Sequence, residues 1–366
     1  MKKSMKIKAV LILLLPLGLL LNSLSHRFPR LTEKLYTNGL YRVLSWLVSR
    51  LTGWLPFSVA EFLLFFLIVL SIWYLIRFVI RMIQGREKRL MLLANTVASV
   101  FAFVGILYFS FVILWGMNYN RLSLGEILNY DVRPASGEEL KAVAEMLVSR
   151  ANELRGNVPE NSKGVMVPDG GIKGAMERAL EGYTAAAEVF PQFKGAYSRP
   201  KPVALSHYMA YTNIWGIYSP FTVESNVNTE IPLSLLPATI AHEMAHQRGF
   251  AREDEANYIA YVVCRLHPDV DFQYSGVLHA LTYVMDNLYR YNRSAYYELR
   301  KTFHEGINRD LRDISEFHKR FESPARDVAS KTNDMYLKAN KQEDGERSYG
   351  RMVDLLIAEY RMKQQE

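Results

Sequence analysis

The chain has 366 residues, of which 49% are hydrophobic, and its formal net charge at pH 7 is +7. A single cysteine, Cys264, excludes an intrachain disulfide and a thiolate zinc site, so any metal here must use nitrogen and oxygen ligands. The basic excess predicts no nucleic-acid partner, because much of it flanks apolar segments, where basic residues set membrane orientation.

The first part of the chain is far more apolar than the rest and predicts a membrane domain over residues 1–120. Three apolar segments predict transmembrane helices near residues 9–24, 59–76 and 90–115, since roughly 20 apolar residues span a bilayer. The first segment is as short as the apolar region of a secretory signal. No small-residue cleavage site follows it, so we expect it to be retained as an anchor.

Lysines and arginines predict the orientation of these segments. If all three span, the N-terminal tail and the loop between the second and third segments lie on one side. Their basic residues are Lys2, Lys3, Lys6, Lys8, Arg77, Arg81, Arg86, Lys88 and Arg89. The opposing loop, residues 25–58, holds fewer, namely Arg27, Arg30, Lys34, Arg42 and Arg50. The richer side is expected to be cytoplasmic, which puts residues 121–366 outside the cytoplasm of a multi-pass cell-membrane protein.

The opposing loop contains "LYRVLSWLVSRLTGWLPF" (Leu40–Phe57), in which Leu, Val and Trp recur at helical spacing. This pattern is typical of an amphipathic helix lying at the membrane interface. It is equally typical of a helix that packs on the membrane segments, and the sequence leaves both interpretations open.

From Arg121 onward the pattern is that of a globular, mainly helical domain over residues 121–366. Helices are predicted at Gly137–Gly156, beginning near Ser136, and at Gly171–Phe190. The stretch Val203–Asn228 is rich in β-branched and aromatic residues and predicts two or three short strands. The predicted fold class is therefore mainly α with a small β-sheet (α+β).

The stretch "ATIAHEMAHQRGFAREDEANY" (Ala238–Tyr258) carries the chemistry. His242 and His246 lie four residues apart, on one face of a helix, so both imidazoles can reach one metal. Glu243 follows the first histidine, where a carboxylate can take a proton from an attacking water. Gly249 lies where a helix commonly ends in a left-handed turn, which lets a second helix return to the metal.

A catalytic zinc usually has three protein ligands and one open position. Glu253, on the predicted second helix, is the favoured third ligand, and Glu255 is its competitor. Asn257, one turn after Glu253, is expected to hydrogen-bond a ligand imidazole from behind. Acidic residues also favour helix N-termini in general, which accounts for the glutamates but not for the two histidines.

At these residues the sequence resembles a zinc metallopeptidase of the gluzincin type, in which HExxH on one helix is completed by a glutamate from a following helix. The layout also resembles an uncharacterised family of bacterial membrane proteins with about three N-terminal membrane helices and the pattern HE-x-x-H-Q-x-G-x-x-x-E-x-E-A-N. The resemblance implies Zn²⁺ as cofactor, a zincin-like metallopeptidase domain after the membrane helices, and hydrolysis of peptide bonds.

The resemblance also implies an edge strand that binds the substrate backbone, for which Ile217–Asn228 is the candidate; an ordinary core hairpin is the alternative. A side chain that stabilises the oxyanion formed at the scissile carbonyl is also expected. The candidates are His207, His279, Tyr283 and Tyr289, and the sequence does not choose among them.

These patterns predict a membrane-anchored zinc peptidase whose partners are the lipid bilayer and a peptide or protein substrate. The alternative is a membrane sensor or scaffold that keeps a metal-binding but non-hydrolytic domain. Glu243 favours the enzyme, since a purely structural site needs no general base. An intramembrane protease is disfavoured, because the apolar run before the motif is too short to span.

Overall fold

The computed structural model describes residues 2–85, 89–195, 197–340, 342, 345 and 351–365. Two of the basic residues that predict the orientation, Arg86 and Lys88, lie outside the described residues. The chain divides into two compact units. The membrane unit comprises Met1–Leu122 and Ser219–Val223, and the second unit comprises Ser123–Tyr218 and Glu224–Glu366.

The membrane unit is mostly helical in its described residues. Its α-helices are α1 (Lys2–Ile12), α2 (Leu14–Arg27), α3 (Pro29–Leu31), α4 (Arg42–Thr52), α5 (Val59–Gln84) and α6 (Arg89–Leu114). A π-helix, Thr32–Tyr41, joins α3 to α4, and a 3-10 helix, Gly116–Asn120, follows α6. Among the residues that the structure describes, three segments are long and apolar enough to cross a membrane: Met5–Arg27, Val59–Gln84 and Arg89–Leu114.

These segments lie where the sequence predicted transmembrane helices, but two differ in extent. The first is broken between α1 and α2, because Pro16 has no N–H to donate to the carbonyl of Ile12. The second continues past residue 76 to Gln84 and ends where Gly85 adopts a left-handed conformation; within it, the Arg77 guanidinium lies 5.2 Å from the centroid of the Trp73 ring.

Polar side chains connect the helices of the membrane unit. The amide of Asn120 donates to Asn22 Oδ1 at 2.7 Å and to the Ser25 hydroxyl at 2.8 Å. Arg121 donates to both carboxylate oxygens of Glu33, at 2.8 and 2.7 Å. Paired groups of this kind avoid the cost of a lone polar atom among apolar helices.

The second unit is mostly helical with a small sheet. Its helices are α7 (Leu124–Leu128), α8 (Gly137–Arg155), α9 (Gly171–Val189), α10 (Ser206–Ala210), α11 (Leu236–Gln247), α12 (Glu253–Arg265), α13 (Val270–Tyr291), α14 (Arg293–Lys301), α15 (Glu305–Arg320), α16 (Pro324–Ala339) and α17 (Met352–Gln365). The strands are β1 (Lys201–Pro202), β2 (Gly216–Ser219) and β3 (Glu224–Val227), in the order β1-β3-β2, with β1 parallel to β3.

The predicted helices α8 and α9 are confirmed. Helix α8 begins where predicted because Ser136 and Glu139 form a capping box, each satisfying a backbone N–H of the other. The stretch Val203–Asn228 contains two short strands, β2 and β3, as predicted, but it also contains the helix α10, which the pattern did not indicate. Local β-propensity is weak, and the surrounding packing decides such short stretches.

The core of the second unit is built around α11, α12 and α13, which contact one another and bury most of their length. A buried ion pair fixes the adjoining α8 to α15, because Arg155 donates to Asp310 at 2.7 Å. Helices α11 and α12 carry the residues that the sequence singled out, so the candidate site is formed by two of the most buried helices of the unit.

Candidate metal centre

Helix α11 holds the HExxH residues within the core. All of its residues except His242 are buried. The Tyr183 hydroxyl donates to the carbonyl of Ala241 at 2.6 Å. At the C-terminal end, Arg248 donates to the carbonyls of Met244 and Phe193 while its guanidinium lies 3.5 Å from the centroid of the Tyr183 ring. These contacts hold α11 rigidly, which is what a preformed ligand site requires.

The turn after α11 brings the second helix back. Gly249 adopts a positive φ of 82°, the left-handed conformation that glycine tolerates best, as the sequence predicted. Phe250 then donates its N–H to the carbonyl of Ala245, and α12 begins at Glu253. The reversal places the first residue of α12 beside the two histidines of α11.

Three ligand atoms converge at this point. His242 Nε2 lies 3.2 Å from His246 Nε2 and 3.2 Å from Glu253 Oε2, and His246 Nε2 lies 3.6 Å from the same oxygen. Tetrahedral zinc with bonds of about 2.0–2.1 Å separates its ligands by about 3.3–3.4 Å. The three residues therefore fit one zinc ion in their present arrangement.

A backbone carbonyl orients one of the imidazoles. His246 Nδ1 donates to the carbonyl of Phe250 at 2.7 Å, which turns Nε2 toward His242 and Glu253. Asn257, which the sequence places behind a ligand imidazole, makes a long contact of 3.5 Å from its amide to the Tyr283 hydroxyl. For His246 the orienting group is thus a main-chain atom that no residue pattern reveals.

Glu255, the other candidate for the third ligand, uses its carboxylate in contacts with Leu124 and Arg252. Its Oε1 accepts a hydrogen bond from the N–H of Leu124 at 2.7 Å and one from Arg252 at 2.8 Å. This carboxylate anchors the start of α7 to α12, whereas Glu253 lies with the histidines.

Glu243 lies beside the cluster with one oxygen unpaired. The residue is only 5% exposed, and among the described residues no group forms a hydrogen bond with its Oε2. Strand β2 holds the rest of the carboxylate: Tyr218 donates its backbone N–H to it, and a Cβ on Gly216 would come within 2.5 Å of its Cγ and Oε1. The backbone of β2 therefore fixes Glu243, a role that the sequence analysis missed.

Burial and neighbouring charge shift the pKa values at the site. Burial raises the pKa of Glu243, opposed by the charges of His242 and His246. Burial alone would lower the pKa of His246, but the carboxylate of Glu253 outweighs it and raises that pKa to about 9. Burial likewise opposes ionisation of Glu253, yet His246 and His242 hold the pKa of its carboxyl well below its usual range. In the absence of metal, the two shifts favour an ion pair between the His246 imidazolium and the Glu253 carboxylate.

Two of the four polar aromatic residues considered for the oxyanion lie near this cluster. Burial lowers the pKa of His279 to about 3, with a further contribution from His242, and its ring lies 5.2 Å from that of Tyr283. Burial raises the pKa of Tyr283 to about 12, helped by the charge of Glu253. Tyr289 and His207 pack instead against other aromatic rings, and the interactions found for them involve none of the predicted ligands.

A second group of potential ligands, Glu181, His267 and Asp269, differs in its hydrogen bonding. His267 uses both ring nitrogens: Nε2 donates to the carbonyl of Arg178, and Nδ1 accepts the N–H of Asp269. Asp269 is in turn paired with Arg178. Both ring nitrogens of His267 and the carboxylate of Asp269 are therefore already engaged, whereas the ligand atoms at His242, His246 and Glu253 contact one another.

Comparison with known proteins gives a family and no activity. A family model described as a protein of unknown function (DUF3810) matches residues 36–357, which is most of the chain. No curated protein matches the chain. No solved structure matches it either.

Proposed function

The chain belongs to the DUF3810 family, whose function is unknown, and we propose that it is a membrane-anchored zinc peptidase that cleaves peptide bonds outside the cytoplasm. One observation carries the proposal: two imidazole nitrogens and one carboxylate oxygen lie 3.2–3.6 Å apart, with the unpaired oxygen of Glu243 beside them. In this proposal the second unit is a zincin-like domain of the gluzincin type.

The residues divide the chemistry between them. His242, His246 and Glu253 hold Zn²⁺, which supplies a Lewis acid that makes water nucleophilic near neutral pH. Glu243 accepts a proton as water adds to the scissile carbonyl and returns it to the amine as the carbon–nitrogen bond breaks. Burial favours the protonated form of Glu243 and raises its pKa, which helps the carboxylate to accept that proton.

Strand β2 is the proposed binding edge for the substrate backbone. It is an outer strand of the described sheet, whereas β3 lies in the middle. Ile217 on β2 is exposed, next to the residues that hold Glu243. An extended peptide that pairs with β2 would run past the general base, which is the arrangement that cleavage within a chain requires.

The proposal is tested on the purified full-length chain in detergent. Wild type is expected to bind about one zinc per chain and to cleave members of a peptide library in a chelator-sensitive manner. His246→Ala should lose the zinc. Glu243→Gln should keep the zinc and lose about 10²–10⁴-fold in kcat, the usual contribution of a general base.

A matched control is Glu177→Gln, which makes the same chemical change at a half-exposed residue of α9. It should leave zinc content and cleavage unchanged. Zinc binding without cleavage in wild type would favour a sensor or scaffold with a metal-binding domain. Equal cleavage by wild type and Glu243→Gln would exclude the proposed mechanism.

A further inference from the structure

Helix α4 exposes its apolar side and buries its polar one. Ser45 and Ser49 form its buried stripe, in line with Tyr41, the last residue of the preceding π-helix. The opposite side, which we call the α4 outer face, consists of Val43, Trp46, Leu47 and Leu51 on α4 and Trp54 just after it, all exposed, with Arg50 exposed among them. A helix on the surface of a water-soluble protein shows the reverse distribution, so water is not the medium that this face fits.

The position of α4 in the chain restricts what can cover this face. Only the linker Gly53–Ser58 separates α4 from Val59, the first residue of the candidate span α5. Six residues extend over at most about 20 Å. The linker is itself apolar, since Trp54 is 89% exposed and Leu55 and Phe57 are also exposed. The exposed apolar surface therefore extends from α4 through Phe57 and begins again at Phe62 in α5, a helix that buries none of its residues.

Helix α4 is too short to cross a bilayer itself. Its 11 residues extend over about 16 Å, against about 30 Å of hydrocarbon. The stretch Arg42–Ser58 also contains two arginines and no acidic residue. Arg50 places its guanidinium 5.5 Å from the centroid of the Trp46 ring. Tryptophan and arginine side by side are typical of the headgroup region, where an aromatic body and a cationic tip meet different media.

We propose that α4 and its linker lie in the bilayer interface, with the α4 outer face against the lipid and Arg42 and Arg50 at the phosphates. Of the two interpretations that the sequence left open, this favours the interfacial helix. The occupant of the α4 outer face is thus the lipid of the membrane that α5 crosses. The inference is independent of the zinc site and holds whether or not the chain is a peptidase.

The test is spin-label accessibility in proteoliposomes of phosphatidylcholine and phosphatidylglycerol. Leu51→Cys, and separately Val43→Cys, is labelled in full-length protein that carries Cys264→Ala. Accessibility to oxygen, which partitions into lipid, is compared with accessibility to a water-soluble nickel chelate. Both labels should favour oxygen by several-fold over the control.

The control is a label at Val328→Cys on α16 in the second unit. Val328 is 66% exposed, close to the 70% of Leu51, so the two positions differ in surroundings rather than in burial. If the labels at residues 43 and 51 meet the nickel chelate as readily as the label at 328, the α4 outer face lies in water and the proposal is wrong. If both probes are excluded, protein covers the face, which also overturns it.

Discussion

Glu253 and Glu255 lie two residues apart, but their carboxylates contact different groups. Glu253 contacts both histidines, while Glu255 accepts from Leu124 and Arg252. We expect Glu253→Gln to weaken zinc binding on the order of 100-fold or more, because it removes a charged ligand. Equilibrium dialysis against buffered zinc measures this.

Glu255→Gln is the matched control. It should leave zinc affinity nearly unchanged and cost about 1–3 kcal/mol of folding stability, because it weakens buried hydrogen bonds. A thermal unfolding midpoint measures that loss. Greater zinc loss in Glu255→Gln than in Glu253→Gln would contradict the assignment.

Zinc affinity should depend on pH through His246. With zinc absent, its pKa is raised to about 9, so near neutrality the imidazole carries a proton that zinc must displace. Affinity is therefore expected to rise about tenfold per pH unit between pH 7 and 9 and then to level off. Titrations against a zinc buffer at fixed pH values give the slope. A flat profile over that range would show that the Glu253–His246 pair does not form.

The folding stability of the metal-free protein should change with pH in the opposite direction from the zinc affinity. The folded pKa of His246 lies above the ordinary value of 6.5. The contribution of the pair to stability is therefore complete below about pH 6.5 and is lost as the pH rises through about 9.

The sequence predicted the three ligand candidates and the base because HExxH and the turn glycine are local patterns. It did not predict the contact of His246 with the carbonyl of Phe250 or that of Glu243 with the N–H of Tyr218. Every residue type has a main-chain carbonyl and almost every one has an N–H, so residue identity does not indicate such contacts. Nothing in the local sequence around Gly216 indicates its role. Its need to lack a side chain arises only when the fold brings β2 against α11.

At the scale of elements, β2 positions the general base. An alanine at residue 216 would put its Cβ 2.5 Å from Glu243 Cγ, so the carboxylate must move. Gly216→Ala is expected to lower kcat on the order of 100-fold, as misplacement by about 1 Å does, while zinc content and KM stay nearly constant. Steady-state kinetics with a cleavable peptide measure the split between kcat and KM.

Gly156→Ala provides the comparison for this substitution. Gly156 has a right-handed helical conformation, and a Cβ there meets nothing within 4 Å. It should behave as wild type in both kinetics and zinc content. If Gly216→Ala cleaves as fast as Gly156→Ala, β2 does not position Glu243.

Helices were easier to predict than strands for a physical reason. The start of α8 is encoded by its own capping residues, and the end of α11 by Gly249. The strands have two to four residues each, too few for a period-2 pattern to stand out. Hydropathy located the membrane helices, but it did not register Pro16, which divides the first.

At the scale of the whole molecule, the sequence predicted a domain boundary after residue 120, and the compact units divide after Leu122. The division reflects a change of solvent: the membrane unit exposes apolar side chains over most of α5, whereas the second unit buries them around α11 to α13. Ser219–Val223 departs from this simple split, because Thr52 donates to the carbonyl of Thr222 and the turn groups with the membrane unit. No hydropathy pattern predicts that.

The orientation of the chain gives the last prediction. Three crossings from a cytoplasmic N-terminus put the C-terminus outside, so alkaline phosphatase fused after residue 366 should be active, and the same enzyme fused after Gly85 should not. Charge sets this orientation, with nine basic residues on the predicted cytoplasmic side against five on the other. Replacing Lys2, Lys3 and Lys6 by glutamine leaves six against five. That variant should show a mixed orientation, with lower phosphatase activity at 366 and new activity at Gly85. Replacing Lys331, Lys338 and Lys363 instead removes the same charge far from the spans and should change neither signal. The assignment would be reversed if a reporter that becomes fluorescent only in the cytoplasm were fluorescent when fused after residue 366 of the wild type. The metal centre would then lie inside the cell.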